Sequence, residues 1–173
     1  AQLAETRVEF VQSAIGPVNG EIELNLPREV RGRKRPIASK MASLGVHTDA
    51  SDTEQVKVPC VRLDDAVTFG GTDRAVAWID VEGANEPVLQ SGPEVLDRLD
   101  AVYIEVERTE TWKGQWLDTD VARHLHDHGL VPVARDIARR DHQYNVVYVR
   151  DHLLEEPWIP RRTARLLADL VRS

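Results

Sequence analysis

The sequence predicts an α/β fold, and two stretches in its second half carry that prediction. Residues 75–81 (AVAWIDV) and 101–106 (AVYIEV) are almost continuously apolar, and each is followed by residues with helical spacing. Unbroken apolar runs are typical of strands covered on both faces, which occur in parallel sheets with helical crossovers. We therefore expect two neighbouring parallel strands that are joined by helices.

The first half is richer in turn residues and charges. Three of its stretches are strand-like: residues 7–15, 21–26 and 55–63. Gly-Pro and Asn-Gly pairs between the first two predict strands joined by a tight turn. The composition of residues 27–54 (Arg, Lys, Gly, Ser and Asp) predicts a long loop. Asp64 and Asp65 suit the start of a short helix.

The second half continues the alternation of strands and helices. Helical spacing over residues 85–99 predicts a helix that Gly92-Pro93 interrupts, and a second helix over residues 121–128 should stop at Gly129. Three further elements are predicted: strands at residues 130–134 and 145–149, and a C-terminal amphipathic helix at 157–173. The length of 173 residues is typical of a single domain, and we expect one domain, complete or partial.

The composition limits the binding partners that we expect and the cellular compartment in which the protein would work. The chain has 22 Lys and Arg against 29 Asp and Glu, a net charge of -7 that repels a phosphate backbone, so no nucleic-acid partner is expected. Cys60 is the single cysteine, which fits a reducing compartment. No apolar run approaches the roughly 18 residues of a membrane span, and the first residues lack a signal-peptide pattern. We expect a cytoplasmic protein without a membrane partner.

Four carboxylates fall at the predicted ends of the two apolar strands. They are Asp80, Glu82, Glu105 and Glu107. Ligands of open parallel sheets bind beyond the carboxyl ends of the strands, where helix N-termini also point. A carboxylate there is costly unless it is paired, hydrogen-bonded or bound to a cation. The four are therefore candidate site residues, although capping of the N–H groups near Gly83 would also explain Asp80 and Glu82.

Four stretches in this order resemble the FkbM family of S-adenosylmethionine-dependent methyltransferases. They are residues 11–20 (VQSAIGPVNG), 61–67 (VRLDDAV), 77–89 (AWIDVEGANEPVL) and 103–106 (YIEV). The resemblance runs from residue 7 to about residue 153 and corresponds to the C-terminal two-thirds of the family domain. It implies a Rossmann-like class I methyltransferase sheet. Asn85 stands where the family usually has Glu, and Arg62 where Thr is common.

The resemblance also implies that an N-terminal part is missing. In the family, two βα units of about 30 residues each, with the Gly-rich turn and the acidic ribose-binding strand, precede these stretches. The chain has no GxGxG pattern. We therefore expect a fragment without the Gly-rich cofactor-binding units, which binds S-adenosylmethionine weakly and self-associates through an uncovered strand edge.

Roles follow from the resemblance only where residues match. Asp80 and Glu82 would be catalytic beside the sulfonium, where a carboxylate orients a substrate hydroxyl, accepts its proton or holds a divalent cation. Cofactor-binding positions would be Ser13, Ala14 and Asp80. Substrate-binding positions would be Ser43, Glu105, Glu107 and Trp112. The implied activity is O-methylation of a small molecule or a sugar hydroxyl, with S-adenosylmethionine as cofactor.

Two other functions compete with this one. The four carboxylates could form a divalent-metal site for phosphoryl or phosphodiester hydrolysis, or the chain could be a degenerate methyltransferase domain that serves as a non-catalytic interaction module. His124 and His128 share a helix face at a spacing that suits zinc, but no third ligand accompanies them. We expect these histidines to be structural, since histidine near a helix C-terminus favours the helix dipole, and we predict no metal ligands.

Overall fold

The computed structural model describes residues 8–34, 41–136 and 142–155. This part of the chain contains eight strands, four α-helices and one 3₁₀ turn, and the strands form two four-stranded sheets. The α/β class predicted from the sequence is confirmed. The predicted C-terminal helix at residues 157–173 lies outside the described residues.

The first sheet is built around a long antiparallel pair. Its strands are β1 (Ala14–Ile15), β2 (Gly20–Val30), β3 (Arg33–Lys34) and β4 (Ala50–Val61), in the order β1-β4-β2-β3. β2 pairs with β4 antiparallel, and β1 pairs with β4 in parallel. The first two strands are thus joined by the short connection at residues 16–19, as predicted, but they do not pair with each other. Of the predicted strand at 7–15, only Ala14–Ile15 is strand among the described residues, because Val8, Phe10 and Val11 lie exposed without a partner strand.

The predicted loop at residues 27–54 is also too long. β2 continues to Val30 and β4 begins at Ala50, so strand residues occupy both ends of the predicted loop. Most of these strand residues, such as Arg28, Glu29, Ser51, Asp52 and Glu54, are charged or polar and at least partly exposed, and the composition alone therefore resembles that of a loop. Arg31 and Gly32 have positive φ angles of 51° and 69°, which turn β2 into β3.

The second sheet contains the predicted parallel pair. Its strands are β5 (Ala75–Ile79), β6 (Leu99–Glu107), β7 (Leu130–Arg135) and β8 (Gln143–Arg150), in the order β5-β6-β8-β7. β5 and β6 are parallel, as predicted, and β8 is antiparallel to both β6 and β7. The sheet is therefore mixed, with its parallel part at the β5 edge.

Helices follow the strands at the positions that the sequence predicts. They are α1 (Leu63–Ala66), α2 (Asn85–Gln90), α3 (Pro93–Leu96) and α4 (Asp118–Asp127), and a 3₁₀ turn covers Asp151–Glu155. α2 ends at Gln90 and α3 starts at Pro93, because proline is tolerated only in the first helical turn. Gly129, with a φ of 71°, ends the α4 segment. None of the described helices is long and apolar enough to cross a membrane.

The hydrophobic core lies between the second sheet and its helices. Its fully buried members include Leu89, Leu96, Val102, Ile104, Leu125 and Leu130. The opposite face of β5 is open: Val76 and Trp78 are 75% and 78% exposed. The prediction that β5 is covered on both faces is wrong for the described residues. An unbroken apolar run does not distinguish a strand whose outer face is covered from one whose outer apolar side chains are exposed.

Candidate active site

The parallel pair brings the acidic strand ends together. Ile79 of β5 pairs with Ile104 of β6, so Asp80 follows beside Glu105. Side chains alternate along a strand, and Glu105 and Glu107 therefore project from the same face of β6. Asp80, Glu82 and Glu105 each offer a carboxylate oxygen, and these oxygens all lie within 4.8 Å of one another. The structure thus forms a cluster from residues that are 25 positions apart.

The turn after β5 has a backbone that few residues adopt. Glu82 and Gly83 have φ angles of 46° and 75°. Such a conformation is costly for glutamate, and strained residues of this kind are concentrated at functional sites. A side chain at Gly83 would overlap with the ring of Trp112, so only glycine fits there. The turn therefore fixes where the Glu82 carboxylate can lie.

Ser43 anchors this turn to the first sheet. Its hydroxyl donates to the carbonyl oxygen of Glu82 at 2.5 Å and accepts from the N–H of Gly45 at 3.1 Å. Its backbone exchanges two hydrogen bonds with Asn25 of β2. Ser43 is buried, and its contacts hold the backbone of the site in place.

Burial and mutual repulsion raise the pKa values of the clustered carboxyls. Burial, assisted by the charges of Glu105 and Asp80, raises the pKa of Glu82 to about 7. Burial likewise raises the pKa of Glu107 to about 7, with repulsion from Glu105 and Glu82 adding to the effect and the nearby side chain of Gln115 opposing it.

The pKa of Glu105 is raised in the same way, but this carboxyl also accepts a hydrogen bond from Gln143. Burial and then the charge of Asp80 raise the pKa of Glu105. The amide of Gln143 donates to Glu105 Oε1 at 2.6 Å and opposes the rise. This contact depends on β8 lying antiparallel to β6, where Asn145 is the direct partner of Glu105.

A cavity of about 580 Å³ opens beside the cluster. Glu82, Glu107 and Trp112 line it, and further walls come from Arg31, Met41, His47, Thr111 and His142. Sites for small molecules commonly have volumes of about 300–1,000 Å³. The cavity is therefore large enough for a small organic molecule that touches the Glu82 carboxylate.

Trp112 is both a wall of the cavity and a packing residue. It is buried, its ring meets that of His47 edge to face at 5.1 Å, and a backbone bridge joins the same two residues. Its indole Nε1 is buried and has no hydrogen-bond partner among the described residues.

Ser13 and Ala14 lie elsewhere. Ala14 pairs with Cys60 in the first sheet, and the Ser13 hydroxyl donates to the carbonyl of Ala14 at 3.3 Å. Neither residue lines the cavity. Of the residues predicted from the sequence, the structure brings together the four carboxylates, Ser43 and Trp112.

Several neighbours of the cluster carry no sequence signal of their own. Asn85 is 2% exposed, and its amide donates to the carbonyl of Glu105 at 2.9 Å while Oδ1 has no described partner. Gln143 reaches Glu105 from a distant position in the chain. The sequence analysis singles out Asn85 only as a departure from the family pattern, not as a neighbour of Glu105.

His124 and His128 are not accompanied by a set of metal ligands comparable to the acidic cluster. The rings of His124 and His128 are 5.1 Å apart, and His128 Nδ1 lies 2.9 Å from an oxygen of Asp97. Burial and the nearby His128 lower the pKa of His124. Within the described ranges, the acidic triad of Asp80, Glu82 and Glu105 is the one group of three or more ligands close enough to share a cation.

Comparison with protein families identifies the domain. The model of the methyltransferase FkbM domain matches residues 2–132. The chain belongs to the FkbM methyltransferase family. The match includes the acidic cluster, Ser43 and Trp112, and it ends inside β7. No curated protein and no solved structure gives a significant match. The resemblance seen in the four sequence stretches is confirmed.

Proposed function

We propose that this FkbM domain transfers a methyl group from S-adenosylmethionine to a hydroxyl oxygen of a small molecule or sugar. One observation carries the proposal: the stretch that matches the family contains a cluster of carboxylates at the carboxyl ends of the parallel strands β5 and β6. Ligands of Rossmann-like sheets bind at that edge. We infer that the second sheet is the corresponding part of such a sheet.

The residues of the chain suit the charged end of the cofactor. S-adenosylmethionine supplies an electrophilic methyl group on a positively charged sulfur. Asp80, Glu82 and Glu105 place negative charge where a cation would be stabilised. We propose Ser13 and Ala14 for the adenine edge, on the family resemblance alone.

The acceptor is proposed to lie in the cavity. Glu82, Glu107 and Trp112 form its wall, and Ser43 holds the Glu82 backbone. Asp80 and Glu82 would accept a hydrogen bond from the reacting hydroxyl and take up its proton, because oxygen must lose that proton on methylation. The apolar ring of Trp112 would cover the rest of the acceptor. We propose that the reaction takes place in the cytoplasm.

The proposal is tested by measuring the turnover of the complete gene product and of two variants that each carry one conservative substitution. Formation of S-adenosylhomocysteine is followed with a panel of sugar and small-molecule hydroxyl acceptors. Asp80→Asn and Glu82→Gln should each lower turnover by about a hundredfold or more, with little change in the free energy of unfolding. Glu86→Gln is the matched control, since Glu86 is an acidic residue in the first turn of α2 and outside the cluster.

Two results would contradict the proposal. Equal turnover of the wild-type and Asp80→Asn proteins would remove Asp80 from the reacting centre. The absence of both S-adenosylmethionine binding and S-adenosylhomocysteine formation in the gene product would argue against methyl transfer as the function.

A further inference from the structure

The acidic cluster has many acceptor atoms and few donors. The oxygens of Asp80, Glu82 and Glu105 lie within 4.8 Å of one another. No Lys, Arg or His in the described part of the chain forms an ion pair with any of the three. Gln143 donates one hydrogen bond to Glu105. Like charges at this separation repel, and no basic side chain of the described residues offsets this repulsion by pairing with the cluster.

Two buried oxygens next to the cluster show the same deficit. Glu107 is 2% exposed and lies close enough for the charges of all three clustered carboxylates to act on it, yet its Oε2 has no hydrogen-bond partner in the described residues. Asn85 Oδ1 is likewise buried and unpaired, while the amide nitrogen of the same side chain binds the backbone of Glu105. Buried oxygens without partners are rare because each costs desolvation energy.

We propose that Asp80, Glu82 and Glu105 bind one divalent cation that prefers oxygen ligands, such as Mg²⁺ or Mn²⁺. Neighbouring oxygens around Mg²⁺ are about 3 Å apart and opposite ones about 4.2 Å, so oxygens that all lie within 4.8 Å of one another must close by at most about 2 Å, which side-chain rotation can supply. Glu107 supplies further negative charge from the buried side. Soft metals are disfavoured because all the ligands are carboxylates.

The cation would leave positions open for the methyl acceptor. Asp80 is exposed and Glu82 and Glu105 are partly exposed, so three carboxylates would fill only part of a six-ligand shell. A hydroxyl bound to the cation loses its proton more readily, and a carboxylate oxygen of Asp80 or Glu82 that does not bind the metal would take up that proton. This purpose depends on the proposed function, whereas binding of the cation does not.

Mn²⁺ titration of the 173-residue chain, followed by the electron paramagnetic resonance signal of free Mn²⁺, tests the site. We expect one Mn²⁺ per chain with a dissociation constant below about 1 mM, and competition by Mg²⁺. Asp80→Asn and Glu105→Gln should each weaken binding by at least about tenfold. Glu23→Gln, an exposed carboxylate change in β2 of the other sheet, should leave binding unchanged.

Asp80→Asn keeps the test decisive, because Asp80 is exposed and its replacement should leave folding intact, as circular dichroism would verify. Absence of Mn²⁺ binding at about 10 mM, well above the range of weak protein sites, would overturn the cation site. Binding that both cluster variants leave unchanged would overturn it equally.

The cation site and the proposed function fail separately. Mn²⁺ binding at the cluster, together with neither S-adenosylmethionine binding nor S-adenosylhomocysteine formation by the gene product, would support the cation site and count against the methyltransferase function. Methyl transfer that persists in EDTA, together with no Mn²⁺ binding, would overturn the cation site and leave the methyltransferase function intact.

Discussion

The two sheets differ in what holds them together. The buried core cluster spans Ile79 to Tyr148 and consists of residues of the second sheet and its helices. The first sheet consists mainly of the β2–β4 ribbon, whose side chains are largely exposed or partly exposed, with Pro27, Val30 and Cys60 as its buried apolar residues. Backbone pairing therefore contributes more to the first sheet, and apolar burial contributes more to the second.

The acidic cluster lies where these two regions meet. Its carboxylates come from the ends of β5 and β6, which the core fixes in position, whereas the hydrogen bond to the Glu82 carbonyl comes from Ser43 beside β2. A rigid sheet thus positions the reactive groups, and a less packed sheet completes their surroundings. Substitutions in the two regions should therefore affect stability very differently.

The largest difference is expected for matched leucine truncations. Leu125→Ala in α4 removes a fully buried side chain and should lower the free energy of unfolding by about 2–5 kcal/mol. Leu24→Ala in β2 removes a partly exposed side chain and should cost about 1 kcal/mol or less. Urea denaturation of both variants measures the difference. Equal losses would mean that the first sheet contributes to the core as strongly as the second.

The junction itself is expected to be sensitive at Gly83. Gly83→Ala adds a methyl group that overlaps with the Trp112 ring and also strains the positive φ, for a total loss of about 2–4 kcal/mol. Gly114 has a similar φ of 71° with open space around it, so Gly114→Ala should show the backbone cost alone, about 1–2 kcal/mol. Thermal unfolding compares the two. If Gly114→Ala were as damaging as Gly83→Ala, the contact with Trp112 would have no role.

A smaller effect is expected at the outer edge of the second sheet. β5 is an edge strand of that sheet, with Val76 and Trp78 exposed, and we propose that it favours self-association. Trp78→Lys should weaken self-association by about tenfold, or 1.4 kcal/mol, and Val18→Lys in an exposed turn should not. Sedimentation velocity measures both. A chain that stays monomeric at all concentrations would rule out this edge as a contact surface.

The smallest effect concerns the histidines of α4. Removing both His124 and His128 by alanine substitution should leave the zinc content of the purified chain unchanged, because no His, Cys, Asp or Glu of the described residues has a ligand atom close enough to both to complete a set of three. Elemental analysis of the wild-type and doubly substituted chains decides this. A stoichiometric zinc signal that is lost in the variant would establish a metal site at α4.

The second sheet was predictable because its signals are local. The apolar runs of β5 and β6 and the break at Gly92-Pro93 follow from short-range rules, and the strand ends identified the four carboxylates. The first sheet was predictable only in part: the strands at 21–26 and 55–63 were found, but the adjoining ends of β2 and β4 were taken for a loop because polar and charged residues such as Glu29, Asp52 and Glu54 occupy strand positions. Ser43 contacts Glu82 across 39 positions, and Gln143 contacts Glu105 across 38 positions. No local sequence pattern predicts such contacts.

The close contact between Gly83 and Trp112 has a consequence for protein design. A designer who grafts the four residues Asp80 to Gly83 onto another sheet would copy the carboxylates without what holds them in place. The backbone of Glu82 keeps its unusual conformation here because the indole of Trp112 covers the turn and the hydroxyl of Ser43 binds its carbonyl. A successful graft would need both of these partners, so the smallest transferable unit extends across three separate segments of the chain.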